Sequence, residues 1–283
     1  MRFAGSHRTT YTYSAPVFLE QHTIRLRPRS DPRQHVRRYS IDIMPTPDGL
    51  TEGIDAWGND VTWAWFSGRH EQLEIVTNFV VETRGENPFD FVVPTSDNEG
   101  LTPAYTFEER AALTPYLASP ATMTPSLHEL AAEAVRAANG SIVAFPGELA
   151  KRIHERCEMV YRAYGPPLPA SETLVAGRGS CRDLTVLFMD ACRLVGVAAR
   201  FISGYVAQRP TGESPDLHAW AGIYIPGGGW LAFDPSLGLA VSDGHVKLAA
   251  AAVPAGAAPI EGSFLSAGAS SELTYAIDLE VEG

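Results

Sequence analysis

The sequence predicts an α+β protein in which an all-β first third precedes a part built from helices and an antiparallel sheet. Three observations lead to this prediction. Apolar and mostly polar residues alternate through residues 73–81, as in a strand with one buried face. Helical spacing and helix caps dominate residues 106–195. Two apolar runs, 218–225 and 230–234, flank a Pro-Gly-Gly-Gly turn and indicate a hairpin.

The first hundred residues contain short strand patterns and little else. The alternation at 73–81 is repeated at 39–43, and residues 61–65 form a third such run with two tryptophans on one face. Clusters of Pro, Gly and Asp separate these runs, which predicts a β-sandwich-like module over residues 1–100. The module has no residues that suggest chemistry, so we expect it to support, dock or gate the rest of the chain.

A polar connector at residues 88–103 separates this module from a second domain, residues 101–283. Thr106 and Glu109 form a capping box, and Pro125 and Gly140 mark the start and end of a second helix. A third helix is predicted from about residue 146. Residues 208–215 read as a surface loop, and the Ala-, Pro- and Gly-rich residues 249–262 as an extended surface connector. Residues 272–281 alternate as a strand that could join either sheet.

The segment 177–205 organises the second domain. A glycine-rich loop ends at Ser180, a good N-cap, and a helical pattern with one apolar face runs from Cys181 to a stop at Gly196. Cys181 therefore lies on the first turn of a buried helix. The free N–H groups and the helix dipole there favour a thiolate, so we expect its pKa to lie below the usual value of about 8.5.

A nucleophilic cysteine needs a base and a group that orients the base. His218 opens the first strand of the predicted hairpin, and Asp234 closes the second. Antiparallel pairing of the two strands would bring the imidazole and the carboxylate side by side. The pattern thus predicts a catalytic set of Cys181, His218 and Asp234.

Each of these residues also has an ordinary structural explanation. A single cysteine at a helix start is often a small buried apolar residue, and a histidine in an apolar strand is often part of a core. Zinc held by Cys181, His218 and Asp234 is a formal alternative, but no paired spacing such as C-x-x-C supports it. The joint placement of thiol, imidazole and carboxylate favours the catalytic interpretation.

The motifs GSCRD, HAW and GW-x-x-FDP, at residues 179–183, 218–220 and 229–235, resemble those of the transglutaminase-like superfamily of papain-type thiol enzymes. The first third resembles the module that precedes this core in a bacterial branch that includes proposed cysteine proteases. The resemblance implies a papain-like core, the triad Cys181, His218 and Asp234, and substrate contacts by Tyr161, Arg182 and Trp220. Many members have Gln where this chain has Arg182, which changes the charge at the cleft mouth.

Composition excludes several other functional classes. A formal net charge of −11 argues against nucleic acid as a partner, and no run approaches the roughly 18 apolar residues of a membrane helix. The three cysteines form no paired framework, and no signal sequence precedes the first strand, so a cytoplasmic location is expected. We expect no metal and no cofactor, since no calcium-binding acidic loop is recognisable. The oligomeric state is open.

The sequence therefore predicts cysteine-dependent acyl transfer from protein or peptide amides, through a thioester. The acyl group would pass to water, as in a protease or amidase, or to an amine, as in a transglutaminase; the resemblance favours hydrolysis. A non-catalytic peptide-binding module with the same fold and a purely structural protein are the alternatives of another class. Both predict an unreactive Cys181.

Overall fold

In the part of the chain that the structure describes, the protein consists of three antiparallel sheets, one two-stranded parallel sheet (Glu158–Met159 with Arg178–Gly179) and five α-helices. The structure is a computed structural model that describes residues 1–85, 87–92, 103–118, 123–207 and 216–282. Its strands are β1 (Arg2–Leu19), β2 (His22–Ile24), β3 (Gln34–Met44), β4 (Gly49–Ile54), β5 (Asp60–Trp65), β6 (His70–Thr83), β7 (Glu158–Met159), β8 (Arg178–Gly179), β9 (Ala199–Val206), β10 (Leu217–Ile225), β11 (Gly229–Asp234), β12 (Leu239–Ala240), β13 (His245–Ala251), β14 (Ile260–Glu261), β15 (Phe264–Leu265) and β16 (Ser271–Glu282). Its helices are α1 (Phe107–Leu113), α2 (Pro125–Ala137), α3 (Phe145–Arg156), α4 (Ala170–Ala176) and α5 (Cys181–Leu194).

The predicted N-terminal β module is confirmed. One of its sheets has the strand order β15–β1–β6–β3, with β16 also paired to β1, and the other has the order β14–β2–β5–β4. The alternation in β6 places Leu73, Ile75, Phe79 and Val81 in the core between the sheets, each no more than 2% exposed. Burial of one face of each strand is the main source of stability for such a pair of sheets.

The end of the chain returns to this module. β16 lies antiparallel to β1 over its whole length, from Phe3 opposite Val281 to Tyr13 opposite Ser271. β14 pairs with β2, and β15 pairs with the end of β1. Residues from 260 onwards therefore share sheets with the N-terminal module rather than with the core. The boundary expected at residues 100 and 101 lies outside the described residues.

The core consists of a third antiparallel sheet with helices on one face. The strand order is β12–β11–β10–β9–β13, and α5 packs against β9 and β10. On the apolar side of α5, Leu184, Leu187 and Phe188 are completely buried, as the helical spacing predicts. The predicted capping box of Thr106 and Glu109 opens α1. No described helix is long and apolar enough to cross a membrane.

The prediction of a surface connector at residues 249–262 was wrong for its first part. Ala249, Ala250 and Ala251 belong to β13 and are at most 2% exposed. Alternate residues of β13 pack on opposite faces of the sheet, Ala249 and Ala251 on the helix side, and Val246 and Leu248 against the N-terminal module. A strand buried on both faces has no polar–apolar alternation, so its sequence lacks the signal that identifies strands at the surface.

Candidate active site

Cys181 is the first residue of α5, as predicted. Its position is set by Asp183, whose carboxylate accepts the backbone N–H of Ser180 at 2.7 Å and the Ser180 hydroxyl at 2.8 Å. Thr185 supports the same turn by donating its hydroxyl to the Cys181 carbonyl at 2.8 Å. The Cys181 side chain is partly exposed, whereas Cys157 and Cys192 are buried. Of the three thiols, only Cys181 lines the cleft.

Asp183 also holds the wall of the cleft next to the thiol. Its other carboxylate oxygen accepts the guanidinium of Arg162 at 2.6 Å and the backbone N–H of Leu168 at 2.7 Å. The side chain is only 1% exposed, and burial opposes its ionisation, but these hydrogen bonds outweigh burial and lower the pKa of Asp183. The segment from Tyr161 to Pro167 is therefore fixed against the start of α5.

His218 and Asp234 meet across the hairpin, as the strand pattern predicts. The register pairs Ala221 of β10 with Phe233 of β11, which brings the start of one strand next to the end of the other. Nε2 of His218 lies 2.7 Å from Oδ2 of Asp234, and both side chains are buried. Since Nε2 is engaged by the carboxylate, Nδ1 is the ring nitrogen available to the thiol.

The electrostatics favour an ion pair between Cys181 and His218. Nδ1 of His218 is sealed from solvent and has no hydrogen-bond partner among the described residues, so this nitrogen is free to interact with the Cys181 thiol. Burial raises the pKa of the Cys181 thiol, but interaction with His218 and with the backbone N–H of Ala219 outweighs it, so the pKa is lowered. Burial likewise opposes a charged His218, but the Asp234 charge, its hydrogen bond and Cys181 raise the pKa of His218.

Asp234 is held by more groups than sequence reasoning identified. Its Oδ2 also accepts Nε2 of a second histidine, His245, at 3.1 Å. Its Oδ1 accepts the hydroxyl of Ser236 at 2.6 Å and the backbone N–H groups of Ser236 and Leu237 at 2.9 and 3.3 Å. Burial disfavours the carboxylate, yet the histidines lower the pKa of Asp234 far below its ordinary value. The carboxylate therefore stays ionised although it is fully buried.

His245 was missed because the alanine-rich strand that it opens carries no alternation. A signal was nevertheless present: His245, like His218, stands at the head of an apolar run, after Gly244. The register places His245 of β13 opposite Val206 of β9, and two strands, β9 and β10, separate β13 from Asp234 on β11. No local spacing relates it to the carboxylate, so only the assembled sheet brings the two together.

The set His218, Asp234 and His245 has the ligand types of a metal site, with ligand atoms within 4.8 Å of one another. Both histidine Nε2 atoms, however, lie at hydrogen-bonding distance from one carboxylate oxygen. An ion could enter only if the three side chains moved apart. The arrangement as it stands is a hydrogen-bonded charge network that orients His218. Cys181, which the zinc alternative required, is not part of that cluster.

A cavity of about 460 Å³ opens in front of Cys181 and His218. Its volume lies within the range of roughly 300–1,000 Å³ typical of ligand sites. Tyr161 and Arg182 line it, which is consistent with the substrate contacts implied for them. Tyr161 is 64% exposed and its hydroxyl is hydrogen-bonded to that of Tyr275, while Arg182 donates to the Arg162 carbonyl at 2.5 Å. The predicted loop at residues 208–215 lies outside the described residues.

The N-terminal module and the C-terminal strand supply one wall of this cavity. The residues that they contribute are His7, Thr9, Tyr11, Leu273 and Tyr275. Both ring nitrogens of His7 are engaged, by Tyr205 at 2.8 Å and by Thr9 at 3.0 Å, and burial lowers the pKa of His7 to about 4. His7 is therefore neutral at pH 7 and shapes the wall rather than acting as a base. The module, which we expected to support, dock or gate the rest of the chain, thus forms part of the cleft wall.

Trp220 lies away from the cleft, contrary to the substrate contact implied for it. It is 1% exposed and does not line the cavity in front of Cys181. Its ring stacks on that of His218, with centroids 6.1 Å apart, and meets His245 edge-on at 5.0 Å. Residues two apart on a strand point to the same face, so Trp220 packs behind the histidine instead of beside the substrate. It fixes the imidazole by packing.

Comparison with known proteins agrees with this architecture. Residues 5–82 match the bacterial transglutaminase-like N-terminal region, and residues 129–235 match the transglutaminase-like superfamily. An uncharacterised protein of Mycobacterium leprae is 25% identical over 276 residues, covering 93% of each chain. One of Mycobacterium tuberculosis is 24% identical over 301 aligned positions, covering 98% of this chain and 92% of the relative.

A solved structure supports the fold over nearly the whole chain. The crystal structure of a protein of Cytophaga hutchinsonii, proposed to be a cysteine protease, superposes with a TM-score of 0.70 at 22% identity. The match covers 99% of this chain and 90% of that one. By the two family matches, residues 129–235 belong to the transglutaminase-like superfamily, and residues 5–82 in front of them are the bacterial transglutaminase-like N-terminal region.

Proposed function

We propose that the protein is a cysteine hydrolase that cleaves amide bonds of protein or peptide substrates. The observation that carries this proposal is the alignment of three groups: a partly exposed thiol at the start of α5, the buried imidazole of His218, and Asp234 at 2.7 Å from the far side of that imidazole. Each group has the role that a nucleophile, a base and an orienting carboxylate require. Cys181, His218 and Asp234 form the catalytic set.

The reaction begins with the thiolate of Cys181 attacking the carbonyl carbon of the substrate amide. A carbon–sulfur bond forms, and the carbonyl electrons move onto oxygen. When the tetrahedral intermediate collapses, the carbon–nitrogen bond breaks, and the imidazolium of His218 gives its Nδ1 proton to the departing amine. Water, deprotonated by His218, then attacks the thioester, and the products are a carboxylic acid and the regenerated thiol.

The oxyanion of the intermediate needs donors aimed at the developing charge. The first four N–H groups of a helix have no acceptor within the helix, and Cys181 is the first residue of α5. Its backbone N–H is the donor that we assign to the oxyanion. The positive end of the helix dipole lies at the same place and favours the same negative charge.

The cleft suits a polypeptide. It runs between the core and the N-terminal module, and aromatic and aliphatic side chains line most of it, including Tyr11, Tyr164, Ile260 and Tyr275. Apolar walls with a few polar groups bind extended chains by burying their side chains. We assign hydrolysis rather than amine transfer because the chain resembles proposed cysteine proteases.

The proposal is tested by the reactivity of the three thiols. Alkylation by iodoacetamide, followed by peptide mapping between pH 5 and 9, is expected to label Cys181 first and fastest at pH 6. Burial raises the pKa of Cys157 and of Cys192, so these thiols are expected to react slowly. They serve as internal controls in the same sample.

The matched variant is His218→Ala, which removes the imidazole and leaves the thiol. We expect Cys181 in this variant to lose its advantage at pH 6 and to follow the pH profile of an ordinary thiol. If Cys181 of the unmodified protein is already as slow as Cys157 and Cys192, the hydrolase proposal is wrong and the binding-module alternative replaces it.

A further inference from the structure

A second, smaller cavity lies on the face of the core sheet away from the helices, where the sheet meets the N-terminal module. Its volume is about 60 Å³. By the same measure a water molecule needs roughly 10–15 Å³, so the space corresponds to about four or five heavy atoms. Arg33, Gln34 and Thr83 line it from the module, and Arg200, Trp230 and Lys247 are among the residues that line it from the core.

The charges around this cavity do not balance. Three side chains with permanent or near-permanent positive charge line it, Arg33, Arg200 and Lys247, and no carboxylate does so among the residues that the structure describes. Lys247 is paired from outside the cavity with Asp31 at 2.5 Å. The two arginines have no ion-pair partner in the described part of the chain. A buried cation without a counter-charge is costly in a protein interior.

Arg200 is the residue at which the excess positive charge is most evident. Its Nε is buried and has no hydrogen-bond partner among the described residues. Its guanidinium lies 4.1 Å from the ring centroid of Trp230, and a side-chain carbon at Gly222 would come within 2.9 Å of the Nε atom. The glycine and the tryptophan thus leave room for the guanidinium, but neither supplies an acceptor. Burial and the positive charge of Arg29 lower the pKa of Arg200 to about 10, although Tyr116 and the Asp31 carboxylate act in the opposite direction.

The remaining donors nearby are already used. Gln34 donates to the carbonyls of Arg29 and Lys247 and accepts the Lys247 N–H at 2.7 Å, and the Thr83 hydroxyl donates to the Asp243 carbonyl at 2.6 Å. Among the described residues, the guanidinium of Arg33 has only long contacts of 3.5 Å, to the carbonyl of Pro88. Arg33 is partly exposed and Ser242 is exposed, so the cavity can be reached from solvent.

We propose that this cavity is a binding site for a small oxyanion of the phosphate class, held between Arg200 and Arg33 with Lys247 beside them. Five heavy atoms match the size of the space, and planar guanidinium groups pair with phosphate oxygens through two N–H groups at once. The bound anion bridges the N-terminal module, through Arg33, to the core sheet, through Arg200. Occupancy therefore stabilises the contact between the two parts of the protein.

The test uses the full chain and inorganic phosphate as the probe, and its readout needs no catalysis. Unfolding temperature and isothermal titration are measured in phosphate, with sodium chloride at equal ionic strength as the reference. We expect phosphate to raise the unfolding temperature above that in chloride. The variant Arg200→Met is expected to bind phosphate about tenfold or more weakly, because it loses charge-assisted hydrogen bonds.

The matched control is Arg69→Met, which removes another arginine that lies over an aromatic ring, 5.0 Å from that of Phe18, outside the cavity. It should respond to phosphate like the unmodified protein. Arg33→Gln, at the open side of the cavity, is a second variant that should also weaken binding. The proposal is overturned if chloride and phosphate stabilise equally, or if Arg200→Met and Arg33→Gln retain the full phosphate response.

Discussion

Oδ2 of Asp234 lies 2.7 Å from Nε2 of His218, and this hydrogen bond leaves Nδ1 of the ring free to interact with Cys181. The carboxylate is fully buried and its pKa is strongly lowered, so its negative charge stabilises a positive imidazole. A charged imidazole in turn stabilises a thiolate at Cys181. The reactivity of the thiol therefore depends on a residue that lies beyond the histidine, and this dependence can be measured.

Asp234→Asn is expected to shift the pH at which Cys181 becomes reactive towards iodoacetamide upwards by about one unit or more, which corresponds to about 1.4 kcal/mol. The amide keeps the size of the side chain but loses the charge that favours the imidazolium. The measurement is the alkylation rate as a function of pH. Ser236→Ala is the control, because it removes a hydrogen bond of 2.6 Å to the same carboxylate and leaves its charge. An unchanged profile in Asp234→Asn would contradict the assigned role.

His245→Phe is expected to lower the free energy of unfolding by about 1.5–3 kcal/mol, the usual contribution of a hydrogen bond to a charged group. Phenylalanine fills the space but cannot donate to Oδ2 of Asp234. His245→Gln retains an amide donor and should recover part of the loss. Urea unfolding at pH 7 measures the three proteins side by side. Equal stability of all three would show that the bond of 3.1 Å contributes little.

Asp183→Asn is expected to destabilise the protein by about 3–5 kcal/mol at pH 7, because it leaves Arg162 without its buried partner and turns an amide nitrogen towards donors. The pKa of Asp183 is lowered in the folded state. A carboxyl group whose pKa is lowered by folding stabilises the folded state at pH values above its pKa in the unfolded chain, about 3.9. This stabilisation is lost as the pH falls below about 3.9 towards the pKa in the folded state. Urea unfolding at pH 7, 5 and 3 should therefore show that the difference in free energy of unfolding between the unmodified protein and Asp183→Asn becomes smaller only at pH 3. A difference in unfolding free energy that does not change with pH would contradict the lowered pKa of Asp183.

Gly204→Ala is expected to destabilise the protein by about 1–3 kcal/mol or more, as overpacking does. A side-chain carbon there would lie 2.1 Å from the carbonyl oxygen of Val246 and 2.6 Å from the ring of Trp220. Gly244 is the matched control, since it has no atom within 4 Å of such a carbon. Gly244→Ala should change the unfolding temperature little or raise it slightly. Equal effects at both positions would mean that β13 can shift freely.

The choice between water and an amine as acyl acceptor is measured with a glutamine-containing donor protein and a dansylated amine. Hydrolysis predicts release of ammonia or peptide fragments without stable labelling of the donor. Cys181→Ala is the control that removes the nucleophile in either case. Stable, Cys181-dependent labelling of the donor would replace hydrolysis by amine transfer and leave the first half of the mechanism intact.

Much of this protein is determined locally and can be predicted from sequence. The start of α5 at Cys181 depends on Ser180 and Asp183, three residues apart, and the meeting of His218 with Asp234 depends on one hairpin. Interactions over such short separations leave a visible spacing in the chain. The fold class, the β module and the three proposed catalytic residues all rest on patterns of this kind.

Other features are decided only by the tertiary structure. His245 reaches Asp234 through a sheet in which two strands, β9 and β10, lie between β13 and β11, and β16 reaches β1 across nearly the whole length of the chain. β13 is buried on both faces and so lacks alternation, while Trp220 is turned behind His218 by packing that its motif does not encode. These relationships arise when separate buried surfaces pack together. Local sequence determines which surfaces are apolar, but only the assembled core determines which of them meet.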